Sequence, residues 1–284
     1  MRPFTTLIDA AALASQVERD DLALFDCRFE LGNPRWGETE HARAHIPGAQ
    51  YLHLDRDLSG PVTAQSGRHP LPDPHDFARR IAALGAGPEV QLVAYDQGTG
   101  AYAARLWWLA RWIGLRAVAV LDGGIAAWRA AGLPLESTIR APRVRTLSAS
   151  PGPDAVLDTK RVDVLRRQPG ALLLDARSPD RFAGCNETLD PVAGHVPGAR
   201  NAPYAANLGA DGRFLSPEAL RRRWNVVLGS RSASDVIAMC GSGVTACHNL
   251  LALEHAGLPG GRLYPGSWSE WIRDPQRPVA TGAY

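Results

Sequence analysis

Lysine is almost missing from this sequence of 284 residues, since Lys160 is the only one among 31 lysine and arginine residues. No glycine-rich loop surrounds Lys160, which excludes the phosphate-binding loop that depends on a lysine. Catalysis through a lysine Schiff base would require this one residue, which we interpret as a solvated charge at a helix end. Arginine is therefore the main cation of the chain.

Long hydrophobic runs and clusters of basic charge are also missing. The most apolar region, 101–121, is interrupted by Arg105, Arg111 and Arg116, so no run reaches the roughly 18 residues of a membrane span. The net charge is +2 and the longest basic run is 221–223, which gives no sign of nucleic-acid binding. Because the first residues also lack the apolar core of a signal peptide, we expect a cytoplasmic protein with neither a membrane nor a nucleic acid as partner.

Cysteine is scarce, and no two cysteines form a Cys-x-x-Cys pair. The four are Cys27, Cys185, Cys240 and Cys247. This usage argues against a disulfide framework and lacks the ligand spacing of a zinc site. His41 and His45 are four residues apart but have no acidic third ligand, and we interpret His45 and His195 as structural, so no metal and no other cofactor is expected. We expect the cysteines to be reduced, and any important one to be reactive.

Four sequence blocks recur in both halves of the chain in the same order. They pair residues 24–28 (LFDCR) with 173–177 (LLDAR), 45–49 (HIPGA) with 195–199 (HVPGA), 93–98 with 237–242, and 121–124 with 264–267. Chance does not align four blocks, so the sequence indicates an internal duplication.

Short apolar runs alternate with helix-length amphipathic segments in each half, which is typical of a parallel β-sheet flanked by helices. The runs are 22–26, 91–95, 117–121, 171–175 and 235–239, and the helical segments include 75–84, 102–113 and 216–224. Loop-forming residues at 148–153 mark a junction. We predict an α/β protein of two tandem domains with similar topology, at residues 1–139 and 158–284, joined by a linker over 140–157.

The segment 235–248 (DVIAMCGSGVTACH) carries the clearest chemical signal. A buried strand ends at Cys240, two glycines allow a tight loop, and a helix begins near Thr245. The thiol is thereby placed at the carboxyl end of a parallel strand, where open α/β sheets bind their ligands. Backbone N–H groups of the loop and of the helix N-terminus should favour the thiolate, which is the nucleophilic form.

A buried structural cysteine is the alternative interpretation of Cys240, and the segment alone does not decide between the two. The duplication favours a reactive thiol, because the first half has Asp96 at the matching position. One copy of the loop thus holds a nucleophile and the other does not.

The two HxPGA blocks, the Asp-Ala-Arg strand end and the CGSGVTA loop together resemble the two-domain rhodanese-type sulfurtransferases. The resemblance covers nearly the whole chain. It implies two tandem rhodanese-like domains, each a parallel sheet flanked by helices, with the first an inactive copy. It also implies that Cys240, in the second domain, is the active cysteine and carries sulfur as a persulfide.

The interior of the loop, residues 241–244, is uncharged and resembles that of 3-mercaptopyruvate sulfurtransferases. Thiosulfate-preferring members have cationic residues there, which suit a dianion. The resemblance thus implies transfer of sulfane sulfur from 3-mercaptopyruvate to cyanide or a thiol, such as a thioredoxin-like protein, with release of pyruvate. It places Gly241, Gly243, Val244 and Thr245 in the donor-binding loop.

Arg181 matches the arginine that binds the donor's carboxylate or carbonyl in this family, and a guanidinium can grip a carboxylate through two hydrogen bonds. Relatives often have a second arginine before the His-Pro-Gly block, but residues 185–191 (CNETLDP) contain none. Arg200 or a backbone donor could take its place.

The resemblance also implies a serine, histidine and aspartate group. Ser242, His69 and Asp55 match it, with Asp57 as a close competitor of Asp55. Such a group could polarise the donor thiol or protonate the leaving pyruvate enolate. A loop histidine and a turn-forming aspartate are the alternative interpretations of His69 and Asp55.

Three other functions compete with this one. A cysteine phosphatase needs an arginine at the position of Ala246, which argues strongly against it. Thiosulfate sulfurtransferase is the runner-up, since Arg181 suits either donor. A persulfide carrier without turnover is less favoured, because a carrier needs no acid–base group.

Overall fold

The computed structural model describes residues 3–282, which form two compact units. Within these described residues, the first comprises 3–60, 72–152 and 210–214, and the second comprises 61–71, 153–209 and 215–282. One boundary in the sequence therefore does not separate the two units. Pro61–Leu71 packs with the second unit although it lies between stretches of the first. This division places His69 in the unit that holds Cys240.

The first unit is built on a parallel sheet. Its strands are β1 (Leu7–Ile8), β2 (Leu22–Asp26), β3 (Gln50–Tyr51), β4 (Gln91–Tyr95) and β5 (Val118–Leu121). They lie in the order β1-β5-β4-β2-β3, and every neighbouring pair is parallel. The inner strands β4 and β5 are apolar and almost wholly buried, as expected of a sheet that is covered on both faces.

The helices described in this unit follow its strands along the chain. They are α1 (Ala10–Ala14), α2 (Trp36–Arg43), α3 (Leu54–Asp57), α4 (Pro74–Ala83), α5 (Ala103–Trp112) and α6 (Gly124–Ala130). The start of α4 shows how the sequence sets a boundary: the Asp73 carboxylate accepts the N–H groups of His75 and Asp76, and Pro74 occupies the first helical position.

The second unit repeats this plan with a four-stranded sheet. Its strands are β6 (Leu172–Asp175), β7 (Arg200–Asn201), β8 (Val236–Met239) and β9 (Arg262–Leu263). They lie in the order β7-β6-β8-β9, again all parallel. Its α-helices are α7 (Thr159–Leu165), α8 (Pro179–Ala183), α9 (Pro217–Leu228), α10 (Thr245–His255) and α11 (Ser267–Trp271).

The same buried ion pair stands at the end of a central strand in each unit. Arg28 binds the Asp26 carboxylate in the first unit, and Arg177 binds the Asp175 carboxylate in the second. All four side chains are 1% exposed or less. Each arginine also donates to the carbonyl that precedes the His-Pro-Gly block of its unit. The predicted α/β class with two similar parallel sheets is confirmed.

The histidines of the two blocks, His45 and His195, are fully buried. The Nδ1 atom of His45 lies 2.6 Å from the carbonyl oxygen of His41, and that of His195 lies 2.8 Å from the carbonyl oxygen of Phe182. Both rings therefore contact backbone within their own unit.

The five strands predicted from apolar runs agree with β2, β4, β5, β6 and β8 to within one residue at each end. The two-residue strands β1, β3, β7 and β9 escape prediction, because two residues carry no periodicity. Helix α9 continues to Leu228, beyond the predicted end at residue 224. Within residues 3–282, no helix is both long and apolar enough to cross a membrane.

Candidate active site

Cys240 directly follows β8, which lies between β6 and β9 in the sheet of the second unit. The residue is only 3% exposed. Its Sγ accepts backbone hydrogen bonds from the N–H groups of Gly243, at 3.1 Å, and Ser242, at 3.4 Å. Two backbone N–H groups thus converge on one sulfur, an arrangement in which the backbone can hold an anionic group.

The tight path of this loop depends on Gly243. Its φ angle is +77°, in the left-handed region that costs an L-residue free energy. A Cβ atom at this position would lie 2.5 Å from the carbonyl oxygen of Pro265. Glycine is therefore required twice here, for the backbone conformation and for the close approach of Pro265.

The first turn of α11, residues 267–269, holds the loop in place through three hydrogen bonds. The Cys240 N–H donates to the Ser267 hydroxyl at 3.0 Å, the Trp268 N–H donates to the Cys240 carbonyl, and the Ser269 N–H donates to the Gly241 carbonyl. Ser267 has a positive φ of 53°, an uncommon conformation for serine. In the sequence, part of this turn stands out only as one of the repeated blocks, and nothing there indicates a role in the site.

Two sources of positive potential lie near the sulfur. Helix α10, of 11 residues, begins at Thr245 directly after Val244 and has no side-chain cap, so the positive end of its dipole lies at the end of the loop. Arg177 is the other source. Burial acts to lower the pKa of Arg177, but attraction to Asp175 and other negative groups, Cys240 among them, outweighs burial and raises it. Arg177 is thus a permanent cation within electrostatic reach of Cys240.

The corresponding loop of the first unit holds Asp96 in place of a cysteine. The Asp96 carboxylate is fully buried and accepts four backbone hydrogen bonds of 2.9 to 3.3 Å, from the N–H groups of Gly98, Gly100, Tyr102 and Ala103. Burial raises the pKa of Asp96, although these four hydrogen bonds act to lower it. This copy of the loop therefore directs four backbone N–H groups at one carboxyl group, as the loop around Cys240 directs two at its sulfur.

Ser242 and His69 lie together in the second unit. The Ser242 Oγ and the His69 Nδ1 are 2.7 Å apart, and the two residues are 6% and 5% exposed. When His69 carries its proton on Nε2, the serine hydroxyl donates to Nδ1. The position of His69 is set by its neighbour, since the Arg68 N–H donates to the Ser269 hydroxyl at 3.0 Å.

Asp55 belongs to the first unit, on α3, and its side chain is exposed. The competing residue Asp57 is engaged elsewhere: its Oδ1 accepts from Arg80 at 2.8 Å and its Oδ2 accepts the N–H of His53 at 2.8 Å. The structure thus brings Ser242 and His69 together, while the partnership of Asp55 with His69 stays a prediction.

Arg181, on α8, is held by two acidic side chains that follow it in the chain. Its Nε and Nη2 atoms donate to the Glu187 carboxylate at 2.8 to 3.1 Å, and Nη2 lies 3.2 Å from the Asp190 Oδ2. Burial acts to raise the pKa of Glu187, but hydrogen bonds from Arg181 and from two backbone N–H groups outweigh it and lower that pKa. The side chain of Arg181 is 18% exposed, so part of the guanidinium remains accessible.

Arg68, Glu187 and Asp190 are functional-site candidates that the sequence analysis did not assign. Arg68 forms an ion pair with Asp190, and a Cβ added at Gly241 would lie 2.9 Å from the Arg68 Nη2. The signal for Arg68 was its position directly before His69. Arg200, considered as a second carboxylate ligand, is exposed on β7.

The other cysteines have different surroundings. Cys247 is buried on α10, where its thiol donates to the Gly243 carbonyl at 3.3 Å. Cys27 is buried in the first unit, and burial raises the pKa of its thiol well above the usual range. Cys185 is exposed. Within the described part of the chain, no three histidine, cysteine or acidic side chains are grouped as metal ligands.

Known proteins resemble this chain over nearly its whole length. A Pseudomonas aeruginosa PAO1 protein named "Probable 3-mercaptopyruvate sulfurtransferase" is 50% identical over 278 residues, which are 97% of this chain and 98% of that protein. A Mycobacterium tuberculosis H37Rv protein, provisionally named thiosulfate sulfurtransferase SseB, is 38% identical over 283 residues, which are 97% of each chain.

The fold is also known from solved structures. A 3-mercaptopyruvate sulfurtransferase from Leishmania major matches this chain with a TM-score of 0.84 and 33% identity, over 95% of this chain and 75% of that one. The family model described as "Rhodanese-like domain" matches twice, at residues 9–131 and 158–274, once in each copy of the duplication. The chain therefore belongs to the rhodanese-like family of sulfurtransferases, with two rhodanese-like domains in tandem.

Proposed function

We propose that this chain is a 3-mercaptopyruvate sulfurtransferase that carries sulfane sulfur on Cys240. The observation on which the proposal rests is the Cys240 Sγ at the end of β8, hydrogen-bonded by its own loop, with the Ser242–His69 pair two residues away along that loop. The uncharged loop suits a donor with one negative charge, and the names of the Pseudomonas and Leishmania relatives point to the same donor.

In the first half-reaction, the Cys240 thiolate attacks the sulfur of 3-mercaptopyruvate. An S–S bond forms while the C–S bond of the donor breaks, and its electron pair passes to carbon, which gives the enolate of pyruvate. The proton of the donor thiol ends on this enolate. The products are pyruvate and a persulfide anion on Cys240, and Arg181 would hold the donor carboxylate during the step.

Ser242 and His69 supply the proton path in this proposal. Because the hydroxyl and the imidazole are 2.7 Å apart and buried, they can take the proton from the donor thiol and return it to the enolate. Asp55 is the third member by resemblance, and its role would be to orient the His69 ring.

In the second half-reaction, a thiol or cyanide attacks the outer sulfur of the persulfide. The S–S bond breaks, its electron pair returns to Cys240 as thiolate, and the acceptor leaves as a persulfide or as thiocyanate. A small thiol or a thioredoxin-like protein is the thiol acceptor that we propose. A reducing compartment such as the cytoplasm would keep Cys240 and such an acceptor in the thiol form.

Intact-mass spectrometry after addition of 3-mercaptopyruvate tests this function. The wild-type protein should gain the mass of one sulfur atom and Cys240→Ser should gain none, while Cys27→Ser, Cys185→Ser and Cys247→Ser serve as matched controls that should still gain it. Release of pyruvate over many turnovers with a thiol acceptor then separates an enzyme from a passive carrier. Turnover by Cys240→Ser, or no pyruvate from the wild type, would overturn the proposal.

Thiosulfate is the second candidate donor. The observation that favours it is the relative from Mycobacterium tuberculosis, which carries the name of a thiosulfate enzyme, and the guanidinium of Arg181 suits either anion. A direct comparison of the two donors decides between them.

A further inference from the structure

Arg68 and Arg181 share one carboxylate in the second unit. Asp190 forms an ion pair with Arg68 through its Oδ1 and contacts the Arg181 Nη2 through its Oδ2, at 3.2 Å. Arg68 and Asp190 are 122 residues apart in the sequence, so neither predicts the other. The carboxylate thereby fixes the two guanidinium groups relative to each other.

Both guanidinium groups lie beside the residue that follows the nucleophile. A Cβ added at Gly241 would meet the Arg68 Nη2 at 2.9 Å and the Arg181 Nη2 and Nη1 at 3.6 and 3.8 Å. Gly241 is covalently bonded to Cys240. An anionic group held by these arginines would therefore lie close to the reacting sulfur. The absence of a side chain at Gly241 leaves room for the two arginines.

The exposure of the charged groups differs in a way that bears on ligand binding. The side chain of Asp190 is 2% exposed, whereas those of Arg68 and Arg181 are 28% and 18% exposed. The acid is thus enclosed, and the two cations keep accessible surface. Since Glu187 already binds the Arg181 Nε and Nη2, Arg68 offers the larger accessible cationic surface of the two.

The segment that carries Arg68 is also held in place by contacts that do not involve the Arg68 side chain. The Arg68 N–H donates to the Ser269 hydroxyl, and the Ser66 carbonyl accepts from the Arg273 Nε at 3.2 Å. Gly67 packs so closely that a Cβ there would lie 2.6 Å from the Gly266 carbonyl oxygen. The backbone and Gly67 thus hold the residues before His69, and the acidic partner of the Arg68 guanidinium is Asp190.

We propose that Arg68 is the second arginine that binds the donor carboxylate, opposite Arg181, and that Asp190 sets the charge of this pair. The inference rests on the proposed function and names a residue that determines its donor specificity. Two arginines balanced by Asp190 and Glu187 carry no net charge, which suits a monoanionic donor better than a dianion.

Kinetics of Arg68→Gln with 3-mercaptopyruvate test the role of Arg68. We expect KM to rise about tenfold or more, equivalent to about 1.4 kcal/mol of binding, with kcat changed less than about threefold. Arg68→Lys should recover part of the loss, because it keeps the charge without the planar fork. Arg273→Gln is the matched control, since it removes a side-chain bond to the same segment and should leave KM unchanged.

An unchanged KM in Arg68→Gln would overturn the proposal. So would an equal rise in Arg273→Gln, because loosening of the segment would then explain both variants. A loss confined to kcat would show that Arg68 acts only by positioning His69, and it too would contradict carboxylate binding.

Binding of pyruvate, measured by calorimetry on proteins that also carry Cys240→Ser, separates this inference from the proposed function. Pyruvate should bind about tenfold more weakly when Arg68→Gln is present, whether or not the wild type turns over the donor. If the wild type forms no persulfide and yet Arg68→Gln weakens pyruvate binding, the proposed function fails and the assignment of Arg68 stands. Equal binding overturns the assignment.

Asp190→Asn tests the part of the proposal that concerns charge. Removal of one negative charge should raise kcat/KM for thiosulfate relative to 3-mercaptopyruvate by about fivefold or more. If the ratio of the two kcat/KM values stays constant or shifts toward 3-mercaptopyruvate, Asp190 does not determine which donor charge the site prefers.

Discussion

His69 and Ser242 are 173 residues apart in the sequence, yet the Nδ1 of one and the Oγ of the other are 2.7 Å apart in the second unit. Both residues are at least nine-tenths buried. The contact exists because Pro61–Leu71 packs with the unit that holds Cys240 and not with the chain on either side of it. A buried hydroxyl–imidazole pair is suited to move a proton while bulk water is excluded.

His69→Ala should lower kcat with 3-mercaptopyruvate by roughly 10²-fold, the low end for a positioned acid–base group. The effect with thiosulfate should be smaller, because thiosulfate brings no thiol proton and its leaving sulfite needs none. Steady-state assays with both donors measure this difference. His75→Ala, which removes an exposed histidine on α4, is the control and should keep full activity.

If Ser242 and His69 act as one unit, Ser242→Ala should slow the reaction with 3-mercaptopyruvate, and the double variant should be little slower than His69→Ala alone. If the fold-losses in rate of the two single variants multiply in the double variant, Ser242 and His69 have independent roles. An unchanged rate in a folded His69→Ala protein would remove the pair from the mechanism.

The wild-type kcat/KM should favour 3-mercaptopyruvate over thiosulfate by about tenfold or more, which corresponds to about 1.4 kcal/mol of transition-state preference. The physical reason is the loop at 241–244, which adds no positive charge for a dianion. Parallel assays with one acceptor measure the ratio. Equal or reversed preference would favour the thiosulfate sulfurtransferase.

Gly243→Ala should reduce both stability and persulfide formation. The left-handed backbone alone costs alanine about 1–2 kcal/mol, and overlap with the Pro265 carbonyl adds to it. Gly212→Ala is the matched control, because Gly212 has a φ of +76° with no atom within 4 Å of an added Cβ. Thermal unfolding should show a clearly larger loss for Gly243→Ala, and equal losses would contradict the steric argument.

Glu187→Gln should make the stability of the protein depend less on pH. The pKa of Glu187 is lowered below its ordinary value of 4.5, so the folded protein binds fewer protons there than the unfolded chain does. The ion pair therefore stabilises the fold above about pH 4.5, and its contribution is lost as the pH falls through the lowered value. The free energy of unfolding, measured by denaturant titration at each pH, should differ most between wild type and variant near neutral pH, by about 1.5–3 kcal/mol, and the two should converge in acid. The exposed Glu89→Gln controls for loss of charge, and a difference that grows in acid would contradict the sign.

Strands and helices whose positions depend on residues close together in the chain were predictable from the sequence. The strands around 91–95 and 235–239 are continuous apolar runs, and the helix after Cys240 follows two glycines, so their positions follow from composition and spacing. The two-residue strands and the turn at 267–269 were not, because two or three residues carry too little pattern. The short strands are fixed by pairing with longer neighbouring strands, and the turn is fixed by hydrogen bonds to the loop after β8.

The sequence by itself determined the duplication, the parallel α/β class and Cys240 as the candidate nucleophile, because each rests on local order: repeated blocks, buried runs and a glycine loop after a strand. The resemblance had grouped Ser242 with His69, but only the tertiary structure shows their 2.7 Å contact and the carboxylate of Asp190 that joins Arg68 to Arg181. Such contacts join residues that are far apart in the chain or separated by an irregular loop. Their distances depend on the path of the whole backbone, and a pattern within one segment does not contain that information.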